Sequence, residues 1–468
     1  MTRPWRALLE TSVLPWWERH GADDATGGVH TCLRDDGSRL TDDKYTWSQG
    51  RWAWLCAELG AECDAGRLTG DAGRWHERAC RTAAFVEEHA VAGGARTHFV
   101  TGTRGGRPAD GDPGTGTSVL ADLFAALGLA GAAGSRAATV AQAHRWAAGA
   151  LELLESAERR IDARTAPSAP YPVPAGFTDS ASRMLLLNVG SELGRLTGSV
   201  PAAGVAERAR RTLTGGMWRR DGWWELRPDT PADTDTLAAR HVTPGHLLEA
   251  MWMVADAHRH GQTTAGPPEW TPDLALRCLT LAWDPERGGL FRYVDSRDGG
   301  APRGRLRGGD PYEDLVRRTW DTKLWWVHVE ALYATRLLAE EFGSAELAAW
   351  HERIADYTLA TFPDHHGGEW TQIRDRSGRP LDEVVALPVK DPFHIPRALL
   401  LLHRLDTGVT AGTTTRTTPG DTTRATPGNT ARTTAGNTTR TTAGNTARAT
   451  PENTTGVTPA STTERGNR

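Results

Sequence analysis

Two histidines stand where a proton-transfer group could work. His246 ends Thr243-Pro244-Gly245-His246 and opens the amphipathic run HLLEAMWMVADA, while His394 lies in KDPFHIPR just before the run Leu399-Leu400-Leu401-Leu402. In both, a capping-type residue (Thr243 or Asp391) and a proline come first, the usual order at a helix start. Pro396 is expected to push the second helix start one or two residues later. The positive end of a helix dipole disfavours imidazolium, so this placement predicts two neutral bases near pH 7. Either histidine alone reads equally as a helix cap; the recurrence makes them a candidate acid/base pair. Glu249 lies three residues after His246, on the same helical face, where a carboxylate can fix the imidazole tautomer. No HExxH is present and a lone His/Glu pair supplies too few ligands, so no metal is expected.

Three further stripes carry polar groups on otherwise apolar helices. In LTDDKYTWSQGRWAWLCAELG, Lys44, Trp47, Arg51 and Trp54 follow one face. A guanidinium flanked by tryptophans can offer forked donors to sugar or enolate oxygens beside a stacking platform. In DTKLWWVHVEALYATRLL, Lys323, Trp326 and Glu330 share one face, and Trp325 and His328 the next. Asn188 and Glu192 lie one turn apart in SRMLLLNVGSELG. Polar groups in such settings need partners or a cavity. Catalytic roles are therefore expected for His246, His394, Arg51 and Glu249. Substrate contacts are expected from Trp47, Asn188, Lys323, Trp325, Trp326 and Glu330. The Gly-rich TGTRGGRPADGDPGTGT at 101–117 matches no phosphate-loop spacing and reads as a loop.

The elements that must position these residues are helical. Apolar periodicity predicts helices near 3–20, 43–60, 72–92, 117–131, 137–160, 178–197, 202–213, 244–260, 270–282, 319–341, 344–361 and 393–405. Between them, 27–40, 288–300 and 367–381 each join paired glycines, an alternating stretch and a polar turn, which predicts β-hairpins, with a degenerate copy at 97–108. Repetition of helix, hairpin and helix points to a repeat architecture. Six helix pairs can close a toroid with the hairpins on one rim, an all-α (α/α)6 barrel, or open into a solenoid. Residues 1–406 form the expected catalytic domain. Beyond it, Arg416, Arg424, Arg432, Arg440 and Arg448 recur every eight residues in a Thr/Gly/Asn/Ala background. With almost nothing apolar to bury, 407–468 is expected to be a disordered tail.

Composition narrows the function. The 468 residues carry a formal net charge of -4, which offers no basic surface for nucleic acid or membrane. No apolar run is long enough to cross a bilayer, and the charged N-terminus lacks a signal peptide's apolar core, so a cytoplasmic location is expected. Five cysteines without CxxC spacing read as free thiols. The 19 tryptophans serve equally well as sugar platforms or as core filler.

DDKYTWSQGR, the Arg-Gly-Gly-Arg-Pro segment at 97–108, RMLLLNVGSEL, GHLLEAMW, TKLWWVHVEA and HGGEWTQIRDRSG…K…FHIPRAL run in order over about 25–405. In these the chain resembles the N-acyl-D-glucosamine 2-epimerase (renin-binding protein) family, which includes cellobiose 2-epimerases and mannose or sulfosugar isomerases. The resemblance implies an (α/α)6 barrel without metal or cofactor. It also implies a 2-epimerase or aldose–ketose isomerase that moves a proton beside the carbonyl of an open-chain sugar through a cis-enediolate. It makes His246 and His394 the acid/base pair, Glu249 the support of His246, and Arg51 the ligand of the oxygens near C1 and C2. Val327 replaces the proline of the animal enzymes' KLWWPH, Ser191 the acid three after the helix asparagine, and Val389 a tryptophan of the cellobiose enzymes. The expected partner is a small sugar; a homodimer is compatible with the sequence. Two other readings fit the same barrel. A glycoside hydrolase needs two carboxylates about 5–10 Å apart across a cleft, with Glu249 and Glu330 the pair to measure; the other is a sugar-binding protein without activity.

Overall fold

Twelve long helices form where the apolar periodicity predicts them. The computed structural model describes residues 3–106, 118–364, 368–381 and 389–408. Helix α1 runs over 5–20, with a π turn at Leu9–Val13; then come α2 (Thr46–Asp64), α3 (Ala72–Phe85) and α4 (Val119–Ala133). The next four are α5 (Val140–Asp162), α6 (Ala181–Thr197), α7 (Val200–Thr212) and α8 (Pro244–Arg259). The last are α9 (Thr271–Ala282), α10 (Trp325–Phe342), α11 (Ala345–Thr361) and α12 (His394–Asp406). Even-numbered helices pack in sequence as an inner ring and odd-numbered ones cover them, the (α/α)6 barrel. The ring is closed between α12 and α2 by charge as well as packing. Arg404 Nη2 reaches Glu58 at 2.7 Å and Glu62 at 2.8 Å, and Glu58 also holds Arg195 of α6 at 2.7 Å. Burial alone would raise the Glu58 pKa, but the two guanidinium groups bring it down to about 2.

Short strands sit ahead of four inner helices, and their pairing departs from the predicted hairpins. Lys44–Tyr45 pairs with Val100–Thr101, Phe177–Asp179 with Leu226–Pro228, His241–Val242 with Val294–Asp295, and Lys323–Leu324 with Ile373–Arg374. Each pair ties the entry of an inner helix to a segment far along the chain. This also explains why α2, α6 and α10 begin later than periodicity predicts: the residues just before them belong to strands. The glycine pairs at 27–28 and 288–289 serve a different purpose. All four glycines have positive φ, letting the chain turn tightly around a buried lysine. Lys44 Nζ donates to Gly27 O at 2.6 Å and Asp23 at 2.8 Å, and Lys323 Nζ donates to Gly289 O and Asp284, both at 3.3 Å. Two of the predicted hairpins do close locally, where Leu33 bridges Arg39 and Arg374 bridges Pro380 antiparallel, and two-residue strands form further hairpins at 91–97 and 218–223.

Most tryptophans fill the core. Trp17, Trp52 and Trp75 form an edge-packed chain between α1, α2 and α3, with centroids 6.3 and 6.1 Å apart. No helix among the described residues is long and apolar enough to cross a membrane. The octad repeats lie outside the described residues, as do 107–117 of the Gly-rich segment.

Inner helices α2 and α4 touch backbone to backbone. A Cβ on Gly50 would stand 1.9 Å from Phe124 O, and one on Gly128 would stand 2.6 Å from the Gly50 Cα. Neither neighbour is a flexible side chain, so Gly50→Ala must separate the helices. A loss of about 2–3 kcal/mol is expected, read as a lower denaturant midpoint; an unchanged midpoint would show that the helices part freely.

Candidate active site

The first turns of all six inner helices converge on one cavity of about 670 Å³. Trp47 and Arg51 come from α2, Phe124 from α4, Met184 from α6, His246 and Glu249 from α8, Trp325 and Trp326 from α10, and His394 from α12. The two histidines flank Trp326, whose ring centroid is 5.0 Å from His246 and 5.9 Å from His394. His246 is the more accessible, with 30% of its side chain exposed against 10% for His394.

Each histidine is held through Nδ1 by a carboxylate. His246 Nδ1 lies 2.7 Å from Glu225 Oε1, and His394 Nδ1 lies 2.8 Å from Glu330 Oε1. A carboxylate only accepts, so Nδ1 carries the hydrogen in both rings, and Nε2 of the neutral ring presents a lone pair. Arg397 Nη2 also comes within 3.2 Å of His394 Nδ1. Two donors cannot bond each other, so this approach follows from their shared acceptor, Glu330. Burial would lower the His246 pKa, but the charge and hydrogen bond of Glu225 outweigh it and raise the value. The helix-dipole expectation of weakened basicity therefore does not hold at His246.

The expected partnership of Glu249 with His246 is replaced. Glu249 Oε1 instead accepts from Arg397 Nη2 at 2.7 Å, and the same nitrogen donates to Glu330 Oε1 at 2.6 Å. Glu330 is buried and would be raised by that burial; Arg397 and His394 bring its pKa down to about 2. Its other oxygen takes Trp252 Nε1 at 2.8 Å. Glu330 thus stands behind His394 rather than in the cavity wall. Glu249, Glu330 and His394 place ligand atoms within 4.8 Å of one another, a set that sequence spacing did not reveal. Arg397 Nη2 already bonds both carboxylates, so a cation there would have to displace a guanidinium.

Arg51 lies in an aromatic frame, its Cζ 4.0 Å from the Phe124 centroid, 5.1 Å from Trp47 and 5.3 Å from Phe393. Burial lowers its pKa, against the opposing charge of Asp391. The closest carboxylate oxygen, on Asp391, is 3.7 Å away, too far for a normal hydrogen bond. Asp391 is committed elsewhere: it accepts from Trp325 Nε1 at 3.0 Å and from the His394 backbone N–H at 2.9 Å. That second bond caps α12, which begins at His394 itself despite Pro396.

Residues 206–398 match the family model of N-acylglucosamine 2-epimerase (GlcNAc 2-epimerase). Over 416 residues the chain is 28% identical to N-acylglucosamine 2-epimerase of Homo sapiens, covering 84% of this chain and 87% of that protein. The Bos taurus protein of the same name is 27% identical over 407 residues, covering 84% and 88%. The chain is similar to the N-acylglucosamine 2-epimerases over most of its length and of theirs. Those relatives are epimerases by name, enzymes of the isomerase class. The fold is shared with the cellobiose 2-epimerase of Bacillus thermoamylovorans B4167, at TM-score 0.64 and 16% identity over 86% of this chain and 98% of that one. A D-mannose isomerase structure matches at TM-score 0.64 and 16% identity, covering 86% and 97%.

Three of the expected substrate contacts lie away from the cavity: Glu330, behind His394, together with Asn188 and Lys323. Asn188 sits almost two turns beyond the start of α6 and lines a second cavity of about 370 Å³, together with Glu192, Arg195 and Arg404. Met184 and Leu185 take the cavity-facing positions on that helix. Lys323 is fully buried on Asp284, where burial pulls its pKa down to about 8 against the pull of that carboxylate. It is the counterpart of Lys44, and each lysine precedes by three residues a tryptophan of the cavity, Trp326 or Trp47. Glu225 and Arg397 escaped the sequence reading. Glu225 is 21 residues before His246, at the edge of a strand pair that local periodicity does not show.

Glu225→Gln tests the pairing. Because Glu225 raises the His246 pKa, its loss should move the acidic limb of the pH–rate profile to lower pH if His246 must be neutral to act. Activity should fall about 10-fold or more at the optimum as the tautomer is released. An unmoved limb would remove Glu225 from the proton-transfer unit.

Proposed function

We propose that the chain is a sugar 2-epimerase or aldose–ketose isomerase that moves a proton at the carbon beside the carbonyl of an open-chain sugar. The observation that carries this reading is the pair of histidines on either side of Trp326, each with Nδ1 held by a carboxylate. One neutral imidazole abstracts the C2 proton through Nε2, and the other delivers a proton to the enediolate or assists ring opening. Arg51 stabilises the enediolate oxygen, where negative charge appears only along the reaction path. Its weak pairing with Asp391 leaves guanidinium charge available for that purpose. Trp47, Trp325 and Trp326 supply the platforms on which a sugar ring or chain can pack.

The glycoside hydrolase reading finds no support in its nominated pair. Glu249 and Glu330 share one nitrogen of Arg397 instead of standing across the cleft. A retaining or inverting mechanism would need them apart and facing the sugar.

His246→Ala and His394→Ala are each expected to lower turnover by about 10²-fold or more. NMR of free aldoses and ketoses (mannose, glucose, fructose, N-acetylmannosamine and cellobiose) reads the turnover, with unchanged thermal melts as control. Near-normal turnover in both variants would reduce the histidines to helix caps. Turnover is also expected to survive exhaustive chelation; loss in EDTA that one divalent ion restores would point to metal assistance at Glu249, Glu330 and His394.

A further inference from the structure

Seven lysine or arginine side chains are buried among the described residues: Lys44, Arg78, Arg160, Arg292, Lys323, Lys390 and Arg397. Six of them reach a carboxylate: Lys44 on Asp23, Arg78 on Asp24, Arg160 on Asp122, Lys323 on Asp284, Lys390 on Glu369 and Arg397 on Glu330. Such pairing is what the desolvation of a buried charge demands. Arg292 is the exception. It is 3% exposed, it lines the same cavity as His246 and Glu225, and no described carboxylate pairs with it. Its Nη1 donates to Thr319 Oγ1 at 3.1 Å and its Nη2 to Tyr171 OH at 3.3 Å, both neutral oxygens. The Tyr293 ring lies 4.8 Å from its Cζ. Tyr312 adds a third phenol to this part of the wall and is engaged by His241 at 3.0 Å. A guanidinium has five N–H donors, so hydrogen bonds to the neutral oxygens of Thr319, Tyr171 and Tyr293 still leave donors for a ligand.

We infer that the cavity holds a subsite for an anionic group on the substrate, a carboxylate, sulfonate or phosphate, with Arg292 as its counter-ion. Arg292 lies on the segment after α9 rather than on an inner helix. It therefore meets the end of the sugar that projects away from the helix N-termini and their histidines. The forked guanidinium matches two oxygens of one anionic group, and Tyr171 and Thr319 fix its plane. This inference rests on the reading of the cavity as a sugar site, and its test is a binding measurement that does not need turnover.

Calorimetric titration of the full chain compares D-glucuronate, D-glucose 6-phosphate and 6-deoxy-6-sulfo-D-glucose with D-glucose. At least one anionic sugar is expected to bind about 10-fold or more tightly than glucose, and the preferred one separates a planar from a tetrahedral anion. Arg292→Met should weaken that sugar about 10²-fold and change glucose less than threefold. Arg292→Lys, which keeps the charge and most of the packing, should bind between the two, because an ammonium cannot fork. Glucose binding as tightly as every anionic sugar would overturn the subsite, and so would a loss in Arg292→Lys that is equal for both classes. The two readings fail separately. An anion preference without turnover of any sugar would overturn the proton-transfer reading and leave the subsite standing. Turnover of neutral sugars without an anion preference would overturn the subsite alone.

Discussion

The site depends on one buried guanidinium. Arg397 of α12 binds Glu249 of α8 and Glu330 of α10, so a single ionic cluster fastens three inner helices at the floor of the cavity. Removing Arg397 leaves two buried carboxylates without their cation, which costs about 3–5 kcal/mol. The cluster also decides where His394 points, since Glu330 holds its Nδ1. Two carboxylates and one guanidinium leave one formal negative charge beside His394. The aromatic rings of Phe393 and Trp252 lie 4.4 and 5.0 Å from the Arg397 Cζ, and with it they face the second cavity.

The second histidine is supported by a different construction. Glu225 comes from the edge of a two-strand pair, not from an inner helix, and it also accepts from the Thr243 backbone N–H at 3.2 Å. It therefore fixes the helix entry and the imidazole together. The two arms consequently see different surroundings: His246 is held by one carboxylate and partly exposed, while His394 is held within an ionic cluster and nearly enclosed. Such asymmetry suits an acid and a base that must exchange roles on one substrate.

Amphipathic spacing was enough to find all twelve barrel helices, because a 3.6-residue period is a local property. The histidines, Arg51 and three tryptophans of the cavity were legible for a related reason: each stands in the first turns of a helix, beside recognisable capping or aromatic residues. The hairpin turns at 32–40 and 373–381 were legible, but the strand pairs at the helix entries were not, because their partners lie roughly 50 residues apart, beyond any local pattern. Lys323 looked functional since a lysine beside two tryptophans has no obvious local partner; Asp284, which neutralises it, is 39 residues earlier. Glu225, Arg397 and Arg292 have meaning only through contacts across the barrel. Asn188 failed by depth: periodicity gives the face of a helix but not the level at which the floor divides two cavities.

The account stands on two histidines acting on one enediolate. Its most direct measurement is the NMR position of solvent deuterium in sugar turned over in D₂O by the native chain, His246→Ala and His394→Ala. Solvent deuterium from the native chain is predicted at C2 of an epimerised aldose, or at C1 of a ketose formed from an aldose. At least one variant should still wash deuterium into recovered substrate while forming little product, having kept the abstracting base and lost its counterpart. Product formed without solvent deuterium at the reprotonated carbon would contradict the account, because a proton returned by the second histidine comes from solvent.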